Sequence, residues 1–181
     1  MSQPNLSGGI EVDPKQLTHP TLAFLRRWWD DKRGTRAMPA RADIRPADMR
    51  QHLSWLVLLE VVDGGRDFRY RVIGDDVAEY FNWNASGKTV TEAWAMQPKS
   101  VCDVVLAVYR GVIANRVPTY AFANSGWAMQ GIEHSECLYV PLSDNGDSVD
   151  HLLHAFVFNR REVHLARQIA RNNGGELPAR A

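Results

Sequence analysis

The feature that most constrains the fold is a change of hydrophobic period along the middle of the chain. Residues 54–62 are apolar and β-branched, Asp63-Gly64-Gly65 follows, and residues 67–74 alternate apolar with basic side chains. This pattern predicts two strands joined by a tight turn, with Phe68, Tyr70 and Val72 on one face. Further strand patterns lie at about 118–124, 131–142 and 149–158.

Helical spacing separates and flanks these strand patterns. The predicted helices lie at about 19–33, 46–52, 75–81, around Trp94, at 98–115 and at 159–171. Two hairpin strands, a helical crossover and three more strands predict an α+β fold. We expect a five-stranded antiparallel sheet with helices on one face and flanking N- and C-terminal helices.

The chain has 181 residues, enough for one hydrophobic core and short for two. Its opening residues are polar and glycine-rich, which predicts a flexible arm. We expect the following organisation: an N-terminal arm at 1–18, a helical extension at 19–52, the sheet-bearing domain at 53–160, and a C-terminal helix and tail at 161–181.

Charge and hydropathy limit the kinds of partner and the cellular compartment that we expect for this protein. The 21 basic and 21 acidic residues cancel, which argues against nucleic acid and anionic membrane as partners. No window reaches about 18 apolar residues and the N-terminus lacks a signal-peptide pattern, so we expect no membrane span. Cys102 and Cys137 then are expected to be reduced thiols of a cytoplasmic protein.

A set of short motifs follows this element order. They are Trp28-Trp29 before a glycine, Pro39-Ala-Arg41-Ala-Asp43-Ile-Arg-Pro46, Phe68-Arg-Tyr70-Arg71-Val-Ile-Gly74, Ala85-Ser86-Gly87-Lys88, Arg116-Val-Pro118 and Cys137-Leu-Tyr139-Val-Pro141-Leu142. Together they resemble the PAS domain, and more narrowly a bacterial PAS family, family five, usually found as single-domain proteins. The resemblance implies sensing or protein association, with no agreed ligand. In the fourth motif, Ser86 replaces the commoner Thr of that family.

The cofactors of PAS domains can be tested against these residues. A haem-binding PAS domain typically offers a histidine on its long central helix, and the helix predicted at 98–115 has none. A flavin photosensor needs an Asn-Cys-Arg-Phe-Leu-Gln run, whereas Cys102 stands in Lys-Ser-Val-Cys-Asp-Val. We therefore expect neither haem nor a flavin photosensor, and the cofactor stays unknown.

Catalysis and metal binding have little support in the sequence. His151-x-x-His154 lies on a predicted strand, where positions three apart face opposite ways, so the pair does not pinch one ion. If residues 143–148 close a regular hairpin, Cys137 lies opposite His154. Such a pair is either a cross-strand core contact or a minor catalytic or metal-binding centre. We expect no enzyme, no catalytic residue and no metal site, with this pair as a remote alternative.

Aromatic residues predicted to border the PAS cleft form the candidate ligand site. The expected lining is Tyr70, Tyr80, Phe81, Trp94 and Tyr109, with Arg71, Tyr120 and His134 as polar groups. Such a lining suits an apolar ligand oriented by a few polar contacts. The alternative is that the aromatic side chains simply fill the core, and that Arg69 and Arg71 pair with Glu60 or Glu133 outside it.

The N-terminal helix carries an apolar face formed by Leu22, Leu25, Trp28 and Trp29. These four residues either pack on the sheet within the chain or form the interface of a homodimer, which we expect. Our leading hypothesis is a stand-alone PAS sensory module that acts on an unidentified signalling protein through the helices at 19–33 and 159–171. The alternative is a small-molecule binding or carrier protein.

Overall fold

The computed structural model describes residue 17 and residues 19–81, 84–124 and 134–158. Its helices are α1 (Pro20–Arg33), α2 (Asp75–Phe81), α3 (Val90–Ala93) and α4 (Lys99–Asn115). Its strands are β1 (Leu56–Val62), β2 (Asp67–Ile73), β3 (Thr119–Asn124), β4 (His134–Leu142) and β5 (His151–Phe158). Short 3-10 turns lie at Arg41–Asp43, Pro46–Met49, Leu53–Trp55 and Asp63–Gly65.

The strands form one antiparallel sheet in the order β2-β1-β5-β4-β3. The hairpin β1–β2 therefore pairs with the last strand, and the helical crossover carries the chain from β2 to the far edge. The predicted α+β fold with five antiparallel strands is confirmed. The helix predicted at 46–52 is a 3-10 turn that ends at Met49, and the C-terminal helix predicted at 159–171 lies outside the described residues.

Local chemistry explains both ends of α1. Pro20 occupies the first helical position, where no backbone N–H is needed, and the His19 side chain accepts a hydrogen bond from the Thr21 N–H. Lys32 and Arg33 lie in the last turn, where positive charge is favourable. Gly34 then takes a φ of 54°, which ends the helix at the predicted residue.

The sheet has two faces with different cover. The inner face, which carries Tyr70, Tyr139, His154 and Phe156, is closed by α2 and α4 through ring contacts. On the outer face, which carries Leu58, Val72 and Leu153, α1 packs against β4 and β5. Alternation along each strand assigns every residue to one face or the other.

A β-bulge interrupts this alternation on β2. Leu58 pairs with Val72 and Leu59 with Tyr70, so Arg71 is the extra residue. Beyond the bulge the side chains change faces, which puts Val72 on the outer face opposite to Tyr70. The prediction that Val72 shares a face with Phe68 and Tyr70 is therefore wrong.

The hairpin between β4 and β5 has a longer loop than the sequence predicts. Leu142 pairs with His151, and the Asp150 N–H donates to the Leu142 carbonyl at 2.9 Å, so the loop spans 143–150. This moves the register by two residues. His154 pairs with Tyr139 and Cys137 with Phe156, so the predicted pairing of Cys137 with His154 is wrong. Because two residues is a full period of a strand, all four residues still share the inner face.

Candidate functional site

The inner face brings together the first group of aromatic residues predicted to border the cleft. Tyr70, Trp94 and Tyr109 are all buried. The Trp94 indole N–H donates to the Tyr70 hydroxyl at 3.0 Å. The Tyr109 ring packs edge-on against Phe68 and Tyr139, at centroid distances of 5.1 and 5.7 Å. The strands and α4 thus hold these side chains as one packed unit, the inner cluster.

Helix α2 adds two further predicted residues to this cluster. Tyr80 is buried and lies edge-on to Phe156 at 4.9 Å. The Phe81 ring lies 5.3 Å from that of Phe156 and 5.6 Å from that of Trp94. It therefore connects Tyr80 and Phe156 to the group around Tyr70. Five of the predicted lining residues are therefore neighbours, and they pack on one another as aromatic core residues do. Whether they also contact a ligand stays a prediction.

His154 is the polar residue that sequence reasoning did not assign to this site. It is 5% exposed, and its ring lies 5.0 Å from that of Tyr139 and 5.9 Å from that of Tyr109. Neither ring nitrogen has a hydrogen-bond partner within the described residues. Burial lowers the pKa of His154 to about 3, so the ring is neutral at physiological pH. The corrected hairpin register gives it Tyr139 as its cross-strand neighbour in place of Cys137.

The other titratable groups of the inner cluster are also neutral. Burial raises the pKa of Tyr70 to about 12 and that of the Cys137 thiol to about 12. It also raises the pKa of Tyr109 and Tyr139. A protonated, buried thiol is a poor nucleophile and a poor metal ligand. The cluster can therefore donate and accept neutral hydrogen bonds, and it offers no charge to a ligand.

Two of the three predicted polar groups, Arg71 and Tyr120, lie outside the inner cluster. Arg71 is exposed at the bulge, with its guanidinium 3.9 Å from the Glu60 carboxylate. Tyr120 faces outward, as its paired position opposite Leu138 requires, and its hydroxyl donates to Glu136 at 2.8 Å. The side chain of His134, the first residue of β4, lies outside the described residues, as does Glu133. Arg69 and Arg71 both lie 3.9 Å from the Glu60 carboxylate outside the cleft, as the alternative interpretation predicted.

The four residues predicted as a dimer interface are covered within the chain. Leu22, Leu25, Trp28 and Trp29 are at most 5% exposed. The Trp29 indole N–H donates to the Pro141 carbonyl at 2.8 Å, which fixes α1 to β4. Their apolar face therefore holds α1 on the sheet, and a homodimer stays a prediction. This is the intramolecular alternative of the two that the sequence allowed.

A groove on the outer face was not predicted. It encloses about 580 Å³ between the 3-10 turns and the strands, in the region that α1 does not cover. We call it the outer groove, and its lining is Arg41, Ile44, Pro46, Met49, Arg50, Leu53, Ser54, Leu56, Leu58, Val72, Gly74, Asp75 and Leu153. Val72 is 49% and Leu53 38% exposed. The sequence hides the groove because the bulge that turns Val72 outward leaves no mark in the alternation of residues 68–72.

Within the described residues, none of the helices has the length and apolar character to cross a membrane. Two solved structures have a similar shape. The PAS domain from Bordetella pertussis BvgS aligns at 15% identity over 71% of this chain and 96% of that chain, with a TM-score of 0.47. An RNA-binding light-oxygen-voltage receptor aligns at 12% identity over 96% of this chain and 44% of that chain, with a TM-score of 0.45.

No curated protein matches the sequence as a relative. The match that decides the family is to a family model described as PAS domain, which covers residues 17–157. That range takes in α1 and all of the described sheet except Phe158, and it confirms the resemblance carried by the short motifs. The chain therefore belongs to the PAS domain family.

Proposed function

We propose that this PAS domain is a regulatory module that acts by direct contact with another protein. PAS domains are generally sensory rather than catalytic. The observation that carries the proposal is the outer groove, where Leu53 and Val72 stay exposed although most apolar residues of the described sheet are buried. Exposed apolar side chains collected in one groove are typical of a binding surface.

The close packing of the inner face supports a mechanism in which the domain acts through its outer surface. There the aromatic side chains contact one another and leave the polar atoms of Tyr70 and Trp94 paired. A signal that leaves the domain through the outer groove needs no rearrangement of that packed cluster. Strand β1 connects the outer groove to the inner cluster, because Leu58 lines the groove and Leu59 pairs with Tyr70.

Affinity capture with matched variants tests the proposal. Immobilised wild-type protein is exposed to extract from the cells that produce it, beside Val72→Asp and Met96→Asp. Met96 is 88% exposed and lies outside the groove, so it controls for the loss of any exposed apolar residue. We expect a protein retained by the wild type and by Met96→Asp and lost by Val72→Asp. The same protein, purified, then has to bind in solution with the same ranking. If the wild type retains nothing beyond a bare-resin control, the proposal is wrong.

A second candidate function is the binding or carriage of a small molecule in the inner cluster. The observation that favours it is His154, whose two buried ring nitrogens have no partner within the described residues. A buried polar group without a hydrogen bond costs about 1–3 kcal/mol, and a bound ligand or water is one way to remove that cost. Native mass spectrometry of protein purified without denaturation tests it. A bound mass present in the wild type and lost in His154→Leu supports this function, and a bare polypeptide mass in both contradicts it.

A further inference from the structure

The geometry points to a specific partner for the outer groove: we propose that it receives an amphipathic helix of another protein, with acidic residues flanking an apolar stripe. This inference rests on the proposed function and adds the chemistry of the partner.

The floor of the groove is apolar. Val72 on β2 and Leu53 on a 3-10 turn supply its exposed apolar surface, above Met49, Leu56, Leu58 and Leu153, which are buried. A helix whose apolar residues recur three and four positions apart fits such a surface. A small molecule fits it less well, because pockets for small ligands bury most of the ligand, roughly 70–90%. Here Val72 is 49% exposed, which shows that the groove is open to solvent.

The rim of the groove is basic. Arg41 and Arg50 line it and Arg45 is exposed beside it. Among the described residues, none of these three guanidiniums lies within 4 Å of a carboxylate. The nearby acidic groups already have partners. They are Asp43 with Arg36 at 2.7 Å, Asp48 with Lys32 at 3.4 Å, and Asp144 with the Arg41 backbone N–H at 2.9 Å. Asp75 is the one acidic residue of the lining, so the rim as a whole favours a negatively charged partner.

The same charges disfavour two occupants from this protein itself, a second copy and residues 159–171. A second copy that used the same groove would bring two arginine rims together, which repel each other. The chain's own residues 159–171 contain four arginines and one glutamate. A segment of that charge is also repelled by Arg41, Arg45 and Arg50. An acidic amphipathic helix of another protein is attracted both by the apolar surface of the groove and by its basic rim.

Cysteine labelling in the full chain tests the inference directly. Val72→Cys puts a thiol on the floor of the groove, while the natural Cys102 and Cys137 are buried and serve as internal controls. The probes are three synthetic helical peptides of equal length. One has an apolar stripe with glutamate flanks, one has the same stripe with lysine flanks, and one has glutamate flanks with serine in place of the stripe. The maleimide labelling rate of residue 72 is measured with and without each peptide.

We expect rapid labelling of the free protein at every protein concentration, and at least tenfold slower labelling with the acidic amphipathic peptide at saturation. The lysine and serine peptides should leave the rate within about twofold. Slow labelling of the free protein at all concentrations would show that its own chain covers the groove. Labelling that slows as protein concentration rises would show that a second copy covers it. Either result, or protection by the lysine peptide, overturns the inference.

Charge reversal separates the rim from the floor. In the double variant Arg41→Glu with Arg50→Glu, the affinity for the acidic peptide should fall about tenfold and the lysine peptide should become the better ligand. Arg27→Glu, at an exposed position of α1, is the matched control and should bind as the parent does. Equal binding by all variants overturns the inference. If no peptide binds while the Val72-dependent capture from extract succeeds, the partner chemistry is wrong and the proposed function stands.

Discussion

The two faces of the sheet solve the burial of apolar surface differently. The inner face is closed by helices of the same domain, and its side chains contact one another in a continuous aromatic cluster. The outer face is covered only in part: α1 packs on β4 and β5, Leu56 and Leu58 of β1 are buried, and Val72 of β2 stays half exposed. The closed face supplies stability, and under the proposed function the outer face supplies a surface for contact. A substitution should therefore act on folding at one face and on binding at the other.

The largest expected effect compares two apolar residues of the same strand. Phe68 is fully buried against Tyr109, whereas Val72, four residues on, is half exposed. Phe68→Ala should lower the free energy of unfolding by about 4 kcal/mol through lost burial and a cavity. Val72→Ala should change it by about 0.5 kcal/mol or less. Urea denaturation of both variants measures this, and comparable losses would contradict the division of the sheet into a closed and an open face.

The strand alternation that predicted a buried Phe68 also shows where sequence reasoning stops. Hydrophobic period predicted the order of the described strands and the shared face of Phe68 and Tyr70, and the glycine at position 34 predicted the end of α1. It was wrong at Val72 because a bulge is a matter of pairing between two strands, and β2 alone does not reveal it. The groove follows from that bulge and from the path of the 3-10 turns, so the candidate site was predicted less well than the fold.

The hairpin register failed for a related reason. Residues 143–148 are polar and predict a turn, but the carboxylate of Asp150 accepts from the Asp144 N–H and brings Val149 and Asp150 into the loop. Such side-chain contacts depend on the folded loop and are not encoded in residue type alone. The consequence is the place of His154, which lies opposite Tyr139 instead of Cys137.

The second prediction tests the contact between Gly74 at the end of β2 and the Leu53–Trp55 turn that lines the groove. A Cβ at Gly74 would lie 2.4 Å from the carbonyl oxygens of Leu53 and Ser54, both of which are backbone atoms. Gly74→Ala must therefore displace the turn that lines the groove, and should destabilise the fold by about 3 kcal/mol. Gly111→Ala is the matched control, because its Cβ would meet nothing within 4 Å on α4.

In the control, Gly111→Ala should stabilise the fold by about 0.5–1 kcal/mol, since alanine is the better helix former. Thermal denaturation followed by circular dichroism gives both values. A Gly74→Ala variant as stable as the wild type would mean that the Leu53–Trp55 turn is not pressed against the end of β2.

The third prediction concerns how the stability of the fold depends on pH, through His154 on the closed face. His154 has a pKa lowered to about 3 by burial in the folded state, against about 6.5 when unfolded. Below the unfolded value the unfolded chain binds a proton that the folded chain does not, so the fold loses stability as pH falls. The loss from this residue is about 2.5 kcal/mol between about pH 7.5 and about pH 4.5.

His154→Leu removes that titration and the unpaired ring nitrogens together. It should be at least as stable as the wild type at neutral pH, and its free energy of unfolding should fall less steeply on acidification. Urea denaturation across this pH range compares the two slopes. Tyr109, Tyr139 and Cys137 stay protonated throughout, because their pKa values are raised by burial. Parallel slopes for the two proteins would show that His154 is not buried as a neutral group.

The smallest expected effect compares two tyrosine hydroxyls, one on each face. The Tyr70 hydroxyl accepts from the buried Trp94 indole at 3.0 Å, and that of Tyr120 donates to the partly exposed Glu136 at 2.8 Å. Tyr70→Phe leaves a buried N–H without its acceptor and should cost about 1.5 kcal/mol, whereas Tyr120→Phe lets water reach Glu136 and should cost about 0.5 kcal/mol. The double variant should show additive losses, since the two bonds lie on opposite faces. Equal single losses would mean that the Tyr120 hydroxyl is as well sealed from water as that of Tyr70.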